Sequence, residues 1–132
     1  VRVPAYLPDT PVVRADIARL YDNIAFEERE VGRIMAALRE DGVLDNTVVL
    51  VTSDHGDGLP RVKRSIHDAG IRVPFMLRLP GGKRGGTKDQ RIVSFVDLAP
   101  TVLRFAGLRT PAWMQGQPML DRNRRVAFVA AD

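Results

Sequence analysis

The feature that most constrains the fold is a run of six β-branched or apolar residues, Thr47–Thr52. Such a run predicts a β-strand that is buried on both faces. Strands of this kind occur mostly in parallel sheets whose two faces are covered by helices. A second apolar run, Val73–Leu79, predicts another strand of the same sheet. The two runs therefore predict an α/β fold in which these strands are parallel.

The N-terminal third of the chain has the periodicity of a helix. Apolar residues recur mostly every three or four positions between Val13 and Leu38, which predicts one long amphipathic helix. Thr10-Pro11 supplies a capping side chain and a proline at the first helical position. We expect this helix to run to about Glu40 and to end at Gly42.

The remaining elements are shorter. A second helix is predicted over Leu98–Ala106, with Asp97 as its cap and Gly107 as its end. Short strands are predicted over Arg91–Val96 and Val126–Ala130.

Composition narrows the classes of function. The absence of cysteine excludes disulfides, thiolate metal ligands and a cysteine nucleophile within these residues. The 20 Lys and Arg residues exceed the 16 Asp and Glu residues and give a net charge of +4, which favours anionic partners. No run approaches the ~20 apolar residues that a membrane-spanning helix needs, so we predict no membrane span.

Polar residues follow the first predicted strand directly. Asp54 and His55 come just after its end, and Gly56 is expected to allow a tight turn. Ligands of open α/β sheets bind beyond the carboxyl ends of the strands. An acidic side chain there needs a positive partner, which a divalent cation would provide. Alternatively, Asp54 caps a turn and His55 forms a local hydrogen bond, and the triplet alone leaves both interpretations open.

A lysine lies further along the connection between the two predicted strands. Lys63 follows Asp54 by nine residues, and we expect both to lie at one edge of the sheet. A lysine beside a metal could neutralise the non-bridging oxygens of an anionic ester. The alternative is a solvent-exposed lysine within the basic run Arg61–Arg64.

Three segments in register resemble the sulfatase family. Residues 45–56 resemble its D-N-T, apolar run, S-D-N/H-G element, and residues 63–74 are similar to its K-x-x-x-Y-E-G-G-I-R-V-P element. Residues 94–103 resemble its S-x-x-D-L-x-P-T-x-L element, and the whole resemblance covers nearly all of residues 5–120. It implies part of an alkaline-phosphatase-like α/β fold, with a mixed, mainly parallel sheet flanked by helices.

The resemblance implies roles for individual residues. Asp54 and His55 would ligate a divalent metal, usually calcium in this family. Manganese and zinc are the alternatives, because imidazole suits these ions better than calcium. Lys63 would bind the sulfate of the substrate. His67 stands where the family commonly has Tyr, and it is a candidate either for substrate binding or for a structural place in the loop.

The implied activity is that of a sulfuric ester hydrolase acting on a sulfated small molecule or glycan. The segment Asp57–Arg61 is similar to the corresponding segment in the branch of the family that contains heparan N-sulfatases, which favours a sulfated sugar as the substrate.

Two other functions remain open. One alternative is a metal-dependent phosphodiesterase or phosphonate monoester hydrolase. Another is a non-enzymatic module that binds anions through its basic residues. The basic residues are not interleaved with aromatic ones, and no fold motif of a nucleic-acid binder is recognisable, so we predict no nucleic-acid partner. The basic residues in question are Arg61, Lys63, Arg64, Lys83 and Arg84.

Two features of the family have no counterpart in these residues. The family uses a formylglycine made from Cys or Ser in a C/S-x-P-x-R motif, and it has further Asp ligands near its N-terminus. We therefore expect residues 1–132 to be the C-terminal part of a catalytic domain, without the nucleophile region or the C-terminal subdomain. We expect these residues to be inactive alone. The resemblance implies a periplasmic, extracellular or lysosomal location.

Overall fold

The computed structural model describes residues 1–121, which fall into two compact units. The first unit comprises Val1–Thr47 with Pro80–Gly82, and the second comprises Val48–Leu79 and the chain from Lys83 onward. The predicted strand Val126–Ala130 lies outside the described residues. Within the described range, none of the helices combines the length and the apolar character needed to cross a bilayer. The elements are α1 (Pro11–Glu40), β1 (Val49–Thr52), α2 (Asp68–Ile71), β2 (Phe75–Arg78) and α3 (Leu98–Phe105).

The long helix α1 begins and ends where the sequence predicts. The hydroxyl of Thr10 accepts a hydrogen bond from the backbone N–H of Val13 at 3.3 Å, which caps the first turn. Gly42 has a φ of +71°, in the left-handed region that glycine adopts at little cost. The backbone N–H of Val43 donates to the Leu38 carbonyl oxygen at 3.0 Å, as in a Schellman motif. Local sequence thus fixes both ends of α1.

The two strands form an antiparallel pair, so the predicted parallel pairing of β1 and β2 was wrong. Val49 pairs with Arg78 and Thr52 pairs with Phe75. Parallel neighbours need a crossover of a dozen or more residues, usually built around a helix. The connecting residues 53–74 contain only the four-residue helix α2. They turn back on themselves, and β2 therefore returns beside the end of β1.

This pairing determines where the connection lies. Because Thr52 and Phe75 are partners, the connection starts and finishes at the same end of the two strands. The hydroxyl of Thr52 donates to the Pro74 carbonyl oxygen at 2.9 Å and ties the two ends of the connection together. The predicted site residues thus remain beyond the carboxyl end of β1, although the pairing differs from the one expected.

The predicted strand Arg91–Val96 was also wrong. Only a single bridge residue, Ile92, forms there, and a 3₁₀ turn follows over Phe95–Asp97. The backbone N–H of Asp97 donates to the Ser94 carbonyl oxygen at 2.9 Å, which curls the chain instead of extending it. The helix α3 begins where predicted and ends one residue early.

Polar groups around α3 hold a second segment in place. Asp97 was predicted to cap α3 with its side chain, and this prediction was wrong. Its carboxylate instead accepts a hydrogen bond from the backbone N–H of Gln117 at 3.0 Å. The Thr101 hydroxyl accepts from the N–H of Met119 at 2.9 Å and donates to the Asp97 carbonyl oxygen at 2.6 Å. Asp97 and Thr101 are both buried. We call residues 96–101 with 116–119 the α3 anchor.

Candidate functional site

The candidate site occupies the connection between β1 and β2, and we call Ser53–Ile71 the site loop. Its packing depends on Val62, which is only 4% exposed. A Cβ atom at Gly56 would lie 2.2 Å from the Ala69 carbonyl oxygen and 2.4 Å from Cγ1 of Val62. Gly56 does not have a positive φ. Glycine is therefore needed here for the close packing of two backbone segments and not for a left-handed backbone conformation.

A second glycine closes the loop from the other side. A Cβ atom at Gly70 would lie 2.1 Å from the Ser65 carbonyl oxygen and 2.5 Å from that of Val62. The carbonyl oxygen of Gly70 accepts a hydrogen bond from the N–H of Gly56 at 3.0 Å. The beginning and the end of the site loop are thus held against each other, with Val62 between them.

Asp54 and His55 meet at the start of this loop. The Asp54 carboxylate is 86% exposed and the His55 imidazole 39% exposed. Oδ1 of Asp54 lies 3.5 Å from Nε2 of His55. Nδ1 of His55 lies 2.6 Å from the Gly56 carbonyl oxygen, which can only accept a hydrogen bond. Nδ1 therefore carries a proton, and this contact fixes the orientation of the ring.

The two groups of this pair could share a positive charge. With the proton on Nδ1, Nε2 of a neutral imidazole has a free lone pair and lies 3.5 Å from Oδ1 of the Asp54 carboxylate. Water, a proton on Nε2 or a cation shared with the carboxylate could satisfy both atoms. Histidines that bind metals usually donate the other ring N–H to a carbonyl or a carboxylate. The pair therefore fits two ligands of a divalent cation, and the local hydrogen bond considered as an alternative is part of the same arrangement.

Within residues 1–121 there is no group of three or more His, Asp or Glu side chains that could hold a metal ion. Divalent cations in proteins usually take four or more ligands. The described residues thus offer two protein ligands to the proposed ion.

The backbone of Lys63 is held by a hydrogen bond, whereas its side chain is exposed. Its N–H donates to the Asp57 carbonyl oxygen at 3.0 Å. Its ammonium group makes no hydrogen bond or ion pair with any residue in the described part of the chain. The structure thus holds the backbone of Lys63 in the loop that carries Asp54 and His55, and contact with a sulfate remains a prediction.

His67 occupies the position before α2. Its carbonyl oxygen accepts a hydrogen bond from the N–H of Gly70 at 2.8 Å, and its own N–H donates to the hydroxyl of Ser65 at 3.2 Å. The imidazole is exposed. The backbone of His67 therefore serves the loop, and a substrate contact of its side chain stays a prediction.

Sequence reasoning assigned no role to Val62, although it anchors the loop. One feature of the sequence could have indicated this role: Val62 is the only apolar residue in the basic run Arg61–Arg64. A lone apolar side chain among charged ones is a reasonable anchor candidate for a loop that must pack on itself. Gly70 was likewise part of the recognised element without a stated function.

The sequence profile of the sulfatase family matches residues 6–108, which include the whole site loop. The chain belongs to the sulfatase family. The predicted family is thus confirmed. Residues 1–121 contain helices and a small antiparallel sheet, whereas the predicted mainly parallel sheet is not seen there.

Three curated relatives illustrate this membership. An ulvan-active sulfatase from Formosa agariphila is 40% identical over 98% of this sulfatase chain and 22% of its own length. Human N-sulphoglucosamine sulphohydrolase is 34% identical over 86% of the chain and 23% of its own length. An N-acetylglucosamine-6-O-sulfatase from Bacteroides thetaiotaomicron is 35% identical over 71% of the chain and 18% of its own length. The chain spans about a fifth of the length of these relatives.

Proposed function

We propose that the protein hydrolyses sulfate esters, and that Asp54, His55 and Lys63 are part of the active site. The main observation in support of the proposal is that Nε2 of His55 lies 3.5 Å from the Asp54 carboxylate, while Nδ1 of the same ring contacts the Gly56 carbonyl oxygen. Membership of the sulfatase family across the whole site loop supports sulfate over phosphate as the group that is cleaved.

Asp54 and His55 would hold a divalent cation. The family resemblance favours calcium, whereas the nitrogen ligand would suit manganese or zinc better. Bound there, such an ion would stabilise the negative charge that develops on the ester oxygens. The remaining ligands of the proposed site would come from outside residues 1–121.

The other residues of the loop would keep these ligands in place. The hydroxyl of Ser53 donates to the His55 carbonyl oxygen at 2.7 Å, and the Gly56 carbonyl oxygen accepts from the ring. Preorganised groups stabilise developing charge without the cost of reorienting during the reaction. The packing of Gly56 and Gly70 against Val62 would provide that rigidity.

Lys63 would bind the sulfate group. Its ammonium is exposed and unpaired within the described residues, so no competing carboxylate has to be displaced. Its three donors could neutralise the non-bridging oxygens of the ester. The attraction between the ammonium group and the sulfate would be stronger where bound substrate displaces water, because the effective dielectric constant is lower there.

A sulfated sugar is the proposed substrate. Two of the three relatives described above carry the name of an amino sugar, N-sulphoglucosamine or N-acetylglucosamine. The excess of basic residues is consistent with such an anionic substrate.

The test is turnover of an aryl sulfate by the full-length protein and by its Lys63→Ala variant. We expect the variant to lose about 100-fold or more in kcat/KM, because a group that neutralises developing charge is removed. Its melting temperature should not change, because the side chain is exposed. Lys83→Ala, which removes another exposed lysine from the glycine-rich segment 81–86, is the matched control, and its kcat/KM should stay within about two-fold of the wild-type value.

Two results would contradict the proposal. Turnover of an aryl phosphodiester with none of any sulfate ester would assign the protein to the phosphodiesterase class. Unchanged turnover in Lys63→Ala would leave Lys63 as a surface residue.

A further inference from the structure

Six arginines in the described part of the chain form ion pairs with carboxylates, whereas several others do not, and one of these lies in the site loop. Arg64 follows Lys63 directly and is exposed. Its guanidinium makes no hydrogen bond or ion pair with any of residues 1–121. Two adjacent cations of the site loop, Lys63 and Arg64, therefore have no counter-ion among residues 1–121. The arginines that are paired are Arg14 with Asp9, Arg19 with Asp16, Arg33 with Glu30, Arg72 with Asp68, Arg91 with Asp89 and Arg104 with Asp121.

The backbone of Arg64 is also unusual. Its φ is +61°, a left-handed conformation that costs conformational energy for a residue with a Cβ atom. Glycine would adopt this conformation without that cost. The flanking structure imposes it, because Val62 is buried and its carbonyl oxygen accepts from the N–H of Ser65 at 3.1 Å. An arginine thus stands where the backbone alone would favour glycine.

We propose that Arg64 is a specificity residue that binds a second anionic group of the substrate, next to the sulfate that Lys63 binds. This inference rests on the proposed function. A guanidinium presents two parallel N–H donors that match the two oxygens of a carboxylate or a sulfate. The substrate class is therefore a sugar sulfate that carries a further oxyanion, either a uronate carboxylate or a second sulfate.

The proposal assigns different tasks to the two cations. Lys63, a compact ammonium, neutralises the ester that reacts, whereas Arg64, with its planar fork, selects substrates by a group that does not react. Loss of Arg64 should therefore change the preference between substrates more than it changes the chemistry on a minimal one.

The experiment compares three substrates on the full-length protein. The first is an aryl sulfate with a single anionic group, the second is a sulfated disaccharide with a uronate, and the third is a disulfated disaccharide without a uronate. We expect Arg64→Gly and Arg64→Gln to lower the preference for one of the disaccharides over the aryl sulfate by about ten-fold or more, mainly through KM, because a charge-assisted contact is lost. The disaccharide that is affected identifies the second anion as carboxylate or sulfate.

Two further variants separate recognition from general effects. Arg84 is also exposed and has a φ of +59°, so Arg84→Gly removes the same charge and the same strain from another loop. This control should leave the preference within about two-fold. Arg64→Lys keeps the charge without the fork, and it should restore part of the preference. Arg64→Gln retains the Cβ atom, so it also controls for any change in the backbone that glycine causes.

A binding titration keeps this inference separate from the proposed function. The affinity of each disaccharide is measured by calorimetry for the wild type, Arg64→Gln and Arg84→Gly. Weaker binding in Arg64→Gln alone supports the inference even if no sulfate ester is turned over, and that absence of turnover would count only against the proposed function. Equal binding by all three proteins, or an equal loss in both variants, would overturn the inference.

Discussion

The site loop and the α3 anchor are built from similar parts but use their polar side chains in opposite ways. Each contains a glycine that leaves no room for a Cβ atom, Gly56 in the loop and Gly116 in the anchor. In the anchor, the polar side chains of Asp97 and Thr101 are buried and bind the backbone. In the site loop, the side chains of Asp54, Lys63 and Arg64 are exposed.

This difference separates what folds the chain from what could bind a ligand. Buried polar groups must find partners inside the protein, because an unsatisfied one costs the full desolvation penalty. Asp97 and Thr101 meet that requirement through residues 117 and 119. The exposed groups of the site loop are under no such constraint, since water satisfies them. They can therefore exchange water for a ligand without loss of internal contacts.

The largest expected effect on stability is in the anchor. A Cβ atom at Gly116 would lie 1.8 Å from the Val96 carbonyl oxygen, a distance that backbone atoms cannot tolerate. Gly116→Ala should therefore lower the free energy of unfolding by about 2–4 kcal/mol, as measured by chemical denaturation. The control is Gly32→Ala in α1, where nothing lies within 4 Å and alanine favours the helix. Equal free energies of unfolding for Gly116→Ala and the wild type would show that the close contact of Gly116 with Val96 does not stabilise the fold.

A smaller loss is expected from the buried hydroxyl of the anchor. Thr101 is 2% exposed, and Thr101→Val removes the group that accepts from the N–H of Met119 and donates to the Asp97 carbonyl oxygen. The free energy of unfolding should fall by about 1–3 kcal/mol, because a buried N–H then lacks its partner. Thr101→Ser retains the hydroxyl and should lose less. Loss of turnover in the folded fraction of the valine variant would contradict the claim that the anchor acts on stability and not on the candidate site.

The smallest effect concerns a partly exposed ion pair beside the anchor, whose Met119 carbonyl oxygen accepts a hydrogen bond from Arg91 at 3.2 Å. Side-chain and backbone hydrogen bonds from Arg91 lower the pKa of Asp89 from 3.8 to about 2. Because the folded pKa is depressed, the stabilisation is present above pH 3.8 and is lost as the pH falls towards 2. In Arg91→Ala the pKa of Asp89 should rise towards 3.8, which a carboxyl NMR titration would measure. An unchanged pKa would mean that Arg91 does not cause the shift.

The sequence predicted the helices better than the sheet, and the reason is physical. The ends of α1 depend on Thr10 and Gly42, which act within a few residues of themselves. The direction of β2 depends on the path of residues 53–74. That path is set by the contact of Gly56 with Gly70, which no local pattern reveals.

The candidate site was predictable in part for the same reason. Asp54 and His55 are neighbours in the chain, so their contact follows from the end of β1. The burial of Val62 and the left-handed backbone of Arg64 were not predictable, because they depend on packing across the loop. The motif thus predicted which side chains form the candidate site, and the structure shows how their backbone is held.

The most direct test of the account is the metal content of the full-length protein and of its Asp54→Ala variant, measured by mass spectrometry beside turnover of an aryl sulfate. We predict that the wild type retains a divalent metal after dialysis, whereas Asp54→Ala loses both the metal and the turnover but still unfolds cooperatively. Wild-type metal content and full turnover in Asp54→Ala would contradict it.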